Sequence, residues 1–387
     1  MHTEFKKGKG TEVYGLADRE IVAVKKTVEN SVEIREIEES QNIREESGIR
    51  IYDILPSSPI LYLLILAVSY NSKQRDIPLT ESKRRLSDRH KKISCSYYGD
   101  KYEICQEDLR SGDEIRIQFT EYNHIYGKAV KKCLFFLLSE YNRQNFRSQI
   151  GFSLCTLVDR GMYSSIDNAR RGLKSALESL RKIKICGTIA QGPKLIIEQR
   201  EFAALISGFS ITNNYVQISV NEDLNKEFIA PYYALLPEFS YSLSSGNAVD
   251  LCVYIFLQAR QNTKAIKADG GFNISLRKIS ELLALPRRDD IENKRNWKPK
   301  QYVVKPILQA VRDISDAAQR VGFMDLKLKI IGNPNFGDVN DFLSGYLKVS
   351  LSGEIYDKLC VLATKKEEKV KQIVERNRSK KKEPNAR

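Results

Sequence analysis

One order of elements occurs twice in this chain, and it restricts the fold more than any other feature. It runs helix, short helix, long helix, β-hairpin. In the first pass, YGKAVKKCLFFLLSEYNRQ has a helical period with Val130, Leu134, Leu137, Leu138 and Tyr141 on one side. FSLCTLVDRGM follows as a short helix ending at Gly161, and then SSIDNARRGLKSALESLRKIKI, opened by the N-cap residues Ser164 and Ser165. The β-rich segments ICGTI, KLIIEQ, GFSI and YVQISV close the pass, with turns at Gln191-Gly192-Pro193 and Asn213-Asn214. Pro231 and Pro237 punctuate the chain, and the order starts again with NAVDLCVYIFLQARQN. FNISLRKISELLALP reads as a strand residue or two and a short helix stopped at Pro286, before the charged connector RRDDIENKRNW. KPKQYVVKPILQAVRDISDAAQRVG is the longer helix, and DLKLKII and GYLKVSLS form the hairpin around a Gly332-Asn333-Pro334 turn. No residue-level repeat is evident beneath the shared order. EIRIQFT, before the first pass, alternates as a strand.

This is the order of a winged helix, whose third helix packs one face on the first two and leaves the other for a major groove. In the first unit Ile166, Ala169, Leu173, Ala176, Leu177, Leu180 and Ile183 form the inner stripe. Ser164, Ser165, Asn168, Arg171 and Lys174 are left outside, with Arg170 at the flank. In the second, Val304, Ile307, Leu308, Val311 and Ile314 face inward and Lys298, Lys300, Gln301, Lys305, Gln309 and Arg312 outward. Arg, Lys, Asn and Gln are the side chains that read base edges, and Ser and Lys also suit phosphates. On this reading neither outer set meets an acid before Glu178 and Asp313. The competing reading is of solvated polar faces on ordinary core helices. For the wings, Lys184 and Lys194 lie on the first β-ribbon and Lys327, Lys329 and Lys348 on the second. Alternate spacing in KLK puts Lys327 and Lys329 on one strand face. That suits phosphate contact, but it is also how lysines guard an edge strand.

Charge narrows the partner. Lys and Arg total 63 against 49 acids, a formal charge of +14, so a polyanion (nucleic acid or an anionic membrane surface) is favoured. PILYLLILAVSY at 59–70 is the most lipid-like stretch, and its dozen residues fall short of a bilayer span. It reads as a buried element, and the start MHTEFKKGKG lacks the apolar core of a signal peptide, so a cytoplasmic location without membrane contact is expected. Cys95, Cys105, Cys133, Cys155, Cys186, Cys252 and Cys360 lack zinc-knuckle spacing and read as buried free thiols in a reducing compartment. The basic run SKQRDIPLTESKRRLSDRHKKIS reads as a solvated loop or helix, with phosphate contact as the alternative.

The expected fold is α+β: two tandem winged-helix domains with flexible N- and C-terminal extensions. The divisions are 1–50, a polar, disordered extension; 51–230, the first winged helix with an N-terminal elaboration; 231–355, the second; and 356–387, a basic helix and tail.

Over about 245–350 the chain resembles the winged-helix domain of iteron-binding plasmid replication initiators. The residues that carry it are FNISLRKISELLALP and KPKQYVVKPILQAVRDI, with an aromatic connector entering a helix that has a proline one turn in: Trp297, Tyr302, Val304, Pro306 and Ile307. Pro306 also removes a hydrogen bond one turn back and bends the N-terminal end of the helix. Over 113–222 element order matches better than any motif, and residues 1–110 show no match. The resemblance implies double-stranded DNA as partner, bound at direct repeats of a plasmid or mobile-element origin. It also implies recruitment of a host helicase or initiator and leaves open a homodimer and repression of the chain's own promoter.

Chemistry finds no support in the residues. His2, His90 and His124 are too scattered for the metal site of a rolling-circle nuclease, and GxxxxGK[ST] and GxSxG are absent. Asp289-Asp290 lies in a charged loop. No catalytic residue, metal or cofactor is expected. The reading is a non-enzymatic, sequence-specific replication initiator; a winged-helix transcriptional regulator is the alternative, and a metal-dependent nuclease or primase ranks third.

Overall fold

The computed structural model describes residues 52–56, 64, 86–361 and 364, except 89–90, 99–100, 109–113, 120–126, 145–146, 191–195, 222–232, 287, 289–296 and 333–338. The N-terminal extension, the basic tail beyond 364, all three histidines, Asp289-Asp290, Lys194 and all of 59–70 but Leu64 lie outside the described residues. Leu64 is helical and buried. The described part is α+β, and no helix in it is long and apolar enough to cross a membrane.

Helix α1 (Lys128–Arg143) is buried on every side from Val130 to Asn142, not along one stripe as its periodicity suggests. Strand β1 (Tyr52–Pro56), helix α3 (Ile166–Leu180) and helix α4 (Gly246–Gln261) surround it. Its polar residues are therefore enclosed, and each needs a partner.

Two three-stranded antiparallel sheets follow one plan. In the first, β6 (Gln149–Ser153) and β9 (Ile206–Thr212) flank β10 (Tyr215–Val220). In the second, β12 (Gly271–Ser275) and β13 (Leu326–Ile331) flank β14 (Tyr346–Leu351). The registers coincide: Tyr215 pairs with Ser153 and Thr212, Tyr346 with Ser275 and Ile331. Ser153 then caps α2 (Leu154–Asp159) and Ser275 caps α6 (Leu276–Leu282). Leu154 N donates to Asn214 O and Leu276 N to Gly345 O, in each case the residue before the tyrosine. The central strands YVQISV and YLKVSL share the burial pattern exposed, buried, exposed, buried, intermediate, buried. A residue-level repeat therefore exists, contrary to the sequence expectation. It was hidden because the paired segments are short and lie at different distances along the chain.

Both short helices end in the same reversal. Met162 N bonds Leu157 O across Gly161 (φ +67°), and Leu285 N bonds Ser280 O across Ala284 (φ +48°). The second unit inserts one unforeseen helix, α5 (Thr263–Asp269), between α4 and β12. Its long helix α7 (Lys305–Arg320) is entered through a π-turn at Lys300–Val304. Pro306 has no N–H to give one turn back, which suits the wider turn that precedes it.

The first unit carries an addition. Strands β2 (Leu86–Asp88), β3 (Lys91–Tyr98), β4 (Lys101–Asp108), β5 (Glu114–Phe119), β7 (Ile183–Ala190) and β8 (Ile196–Ala204) form a six-stranded antiparallel sheet in that order. Ile104, Ile117, Phe119, Ile183 and Ile185 fill its inner face. Part of the basic run expected as loop or helix is thus strand, paired through Ile93 with Leu86 and Gln106.

The boundary expected at 230/231 is bridged by structure. Strand β1 pairs antiparallel with β11 (Tyr233–Pro237), Tyr52 opposite Pro237. Lys131 of α1 forms an ion pair with Asp250 of α4, the two side chains 3% and 1% exposed. Arg160 lies 4.9 Å from the Phe136 ring centroid and 5.9 Å from that of Tyr241, and pairs with Glu140 at 3.5 Å. One continuous core runs through both units.

Candidate nucleic-acid interface

In the first unit Ser165 is the N-cap of α3, accepting from Asn168 N. The inner stripe is buried except Ile166, which is partly exposed and packs on the core, so the opposite side faces out. Gly172 sits mid-helix, where glycine costs about 1 kcal/mol relative to alanine, because a Cβ there would lie 2.4 Å from the Tyr163 ring. Ser164, Ser165, Asn168, Arg170, Arg171 and Lys174 are all exposed, as expected. They are tied to one another and to the sheet. Arg171 donates to Asn168 Oδ1 at 2.8 Å, and Asn168 Nδ2 donates to Ser164 Oγ at 2.9 Å. Arg170 donates to Asn213 O and Asn214 Oδ1 at 3.1 and 3.0 Å, clamping the β9–β10 turn to the helix. It also pairs with Asp167 at 3.3 Å. Asp167 is 83% exposed, so the acid-free outer face expected before Glu178 does not exist. The N-terminal turn takes an acid readily, since its free N–H groups favour negative charge.

The second unit differs. Lys298, Lys300, Gln301, Lys305, Gln309 and Arg312 are exposed along one helix and its entry turn. Apart from Lys300, their side chains make no hydrogen bond or ion pair among the described residues. Asp313 is not an outer residue. It is buried at 6% exposure and accepts from Ser244 N and Ser245 N at 3.1 and 3.0 Å, at the start of α4. The first exposed acid on this helix is Asp316, so the acid-free run is longer than the sequence reading gave it. Leu308 is the reverse correction: assigned inward, it is 37% exposed beside Lys305 and Arg312.

The wings need the largest revision. Lys184 is half-buried on β7, opposite Gln118 inside the six-stranded sheet, so it lies on no free ribbon. Strand β5 captures β7 because Ile183 and Ile185 continue the inner face begun by Phe119 and Ile117. By register the first hairpin is β9–β10, ISGFSIT-NN-YVQISV, which holds no charged residue. Its counterpart β13–β14 carries Lys327, Lys329 and Lys348, all exposed. Lys329 lies directly opposite Lys348, and Lys327 is two residues along on the same face. Asn273 on β12, opposite Lys348, extends this face and was not foreseen; its alternation in GFNIS was the available signal. None of the three lysines has an ion-pair partner among the described residues. Like charges directly opposite repel, so an anion placed over the pair would relieve them.

On α1, Lys132 is buried at 7% exposure. Burial, and then the charge of Lys128, push its ammonium pKa down to about 8, with Asp313 acting the other way. Cys133 and Cys252 are buried, which drives both thiols up to about 12. Cys186 is buried too, but Cys105 and Cys360 are partly buried and Cys155 is exposed, against the expectation of uniform burial. No group of three His, Cys, Asp or Glu gathers to hold a metal ion among the described residues.

No protein-family profile and no curated protein matches the chain. Among solved structures, it is similar to a crystal structure of selenomethionine derivatives of domains 2 and 3 of RctB. That likeness has 9% identity and a TM-score of 0.38, over 74% of this chain and 99% of that one. A second crystal structure of RctB domains 2–3 gives 8% identity and a TM-score of 0.38, over 73% and 97%.

Proposed function

We propose that the chain binds double-stranded DNA sequence-specifically, with its two units acting as winged helices and the second as the principal reader. The observation that carries this is the exposed series Lys298 to Arg312, free of acids, together with three unpaired lysines on the following sheet. A helix of that composition fits a major groove, with Gln and Arg for base edges and Lys for phosphates. The resemblance over 245–350 to iteron-binding initiators supports a role at a replication origin, on direct repeats and alongside host replication proteins. In this reading the chain catalyses no step, and duplex DNA incubated with it and Mg²⁺ stays intact.

A footprint of the full chain on the DNA flanking its gene tests the proposal. Protection of several direct repeats, each of roughly two helical turns, is the expected result. Protection of one promoter-proximal site alone would favour a regulator, and no protection would refute DNA reading. Affinity should also fall about a thousandfold or more from roughly 50 to 200 mM salt if some six phosphates are neutralised.

A further inference from the structure

We propose that Leu308 is a specificity-determining residue that reads the C5-methyl group of a thymine in the bound duplex; this rests on the DNA reading above. Among the described residues it is the one large apolar side chain on the long helix of either unit that is exposed. Val304 and Val311, one turn to either side, are buried at 5% and 8%, so Leu308 stands where the core ends and the outer face begins. Lys305 at i−3 and Arg312 at i+4 are its neighbours on the helix surface, and Gln309 follows it, all three exposed. An apolar group there has no core to fill. In a major groove it faces the one apolar feature that base pairs display, the thymine methyl, while its neighbours reach base edges and phosphates. The corresponding helix α3 is polar at each of its exposed positions, so this element of the readout belongs to the second unit alone.

The test begins with the duplex that the full chain selects from a random-sequence library. Each thymine of that duplex is replaced in turn by deoxyuridine, which removes only the methyl. Wild type should bind about fourfold more weakly at one position, the effect of leaving one methyl-sized group unburied. Leu308→Ala should lose that sensitivity at the same position, and Leu308→Met, still apolar, should keep it. A duplex whose thymines are all replaceable without effect would overturn the inference and leave the DNA reading standing. So would a Leu308→Ala variant as sensitive as wild type. If no duplex is selected at all, both fall. Because Leu308 is exposed, neither substitution opens a core cavity, and equal thermal midpoints for the three proteins verify that.

Discussion

The two three-stranded sheets have the same strand order, the same register and the same capping serines, yet they present different chemistry to solvent. Where the second sheet has Lys327, Lys329 and Lys348, the first has Gly208, Ser210 and Gln217 at the matching register positions. Where the second long helix carries unpaired cations, the first binds its arginines to Asp167, Asn168 and its own turn. Outward positions do not enter the core, so they can change without disturbing the fold. Shared architecture therefore fixes where an outer surface lies, and the exposed side chains decide what charge each copy presents there.

The sharpest way to break this comparison is at the junction of the units. Asp250→Ala leaves Lys131 charged and buried, at a cost of about 3–5 kcal/mol. Trp297, the single tryptophan, reports the second unit, while far-UV circular dichroism reports both. In urea the two signals should shift together for wild type and variant; separate transitions would show that the units unfold independently. Next in size is the exchange of surfaces. Lys327→Ser, Lys329→Ser and Lys348→Gln together should weaken duplex binding roughly a hundredfold at physiological salt and lower the salt slope by about 3. An unchanged slope would mean that this sheet never meets a phosphate.

A smaller effect is expected at Lys132, whose folded pKa of about 8 lies below its ordinary 10.5. The unfolded state binds more protons between those values, so stability rises with pH across that window; the cost of the buried charge is full below about pH 8. Lys132→Met should therefore be more stable than wild type at neutral pH, by on the order of 2 kcal/mol. The advantage should vanish toward pH 10.5, and thermal midpoints at several pH values measure it. The smallest effect is Gly161→Ala, which places a Cβ in the left-handed region and should cost about 1 kcal/mol. Chemical denaturation would check it, and no loss would show that this reversal tolerates alanine as its counterpart at Ala284 does.

Much of this was legible beforehand. The inner stripe of α3, the cap Ser165 and the strand–helix step at FNISL follow local rules, and the structure agrees, while the short helix expected to run to Pro286 ends at Leu282. The candidate DNA-contacting residues of both long helices are exposed because the 3.6-residue period that buries one side displays the other. The errors came at the margins of that period. Leu308 and Asp313 lie near the edge of the stripe, where type alone suggested apolar in and acid out. The tertiary structure reversed both, since Asp313 accepts from the backbone N–H groups of Ser244 and Ser245 and Leu308 stays 37% exposed.

By itself, then, the sequence determined the helix order shared by the two units and the basic character, because periodicity, caps and charge act within a few residues of each other. Only the tertiary structure decided which hairpin of the first unit matches that of the second. Strand pairing is a contest among distant partners, and β5 offered β7 an apolar face to extend. Long-range pairing likewise joined β1 to β11 and Lys131 to Asp250, tying together two units that read as separate along the chain.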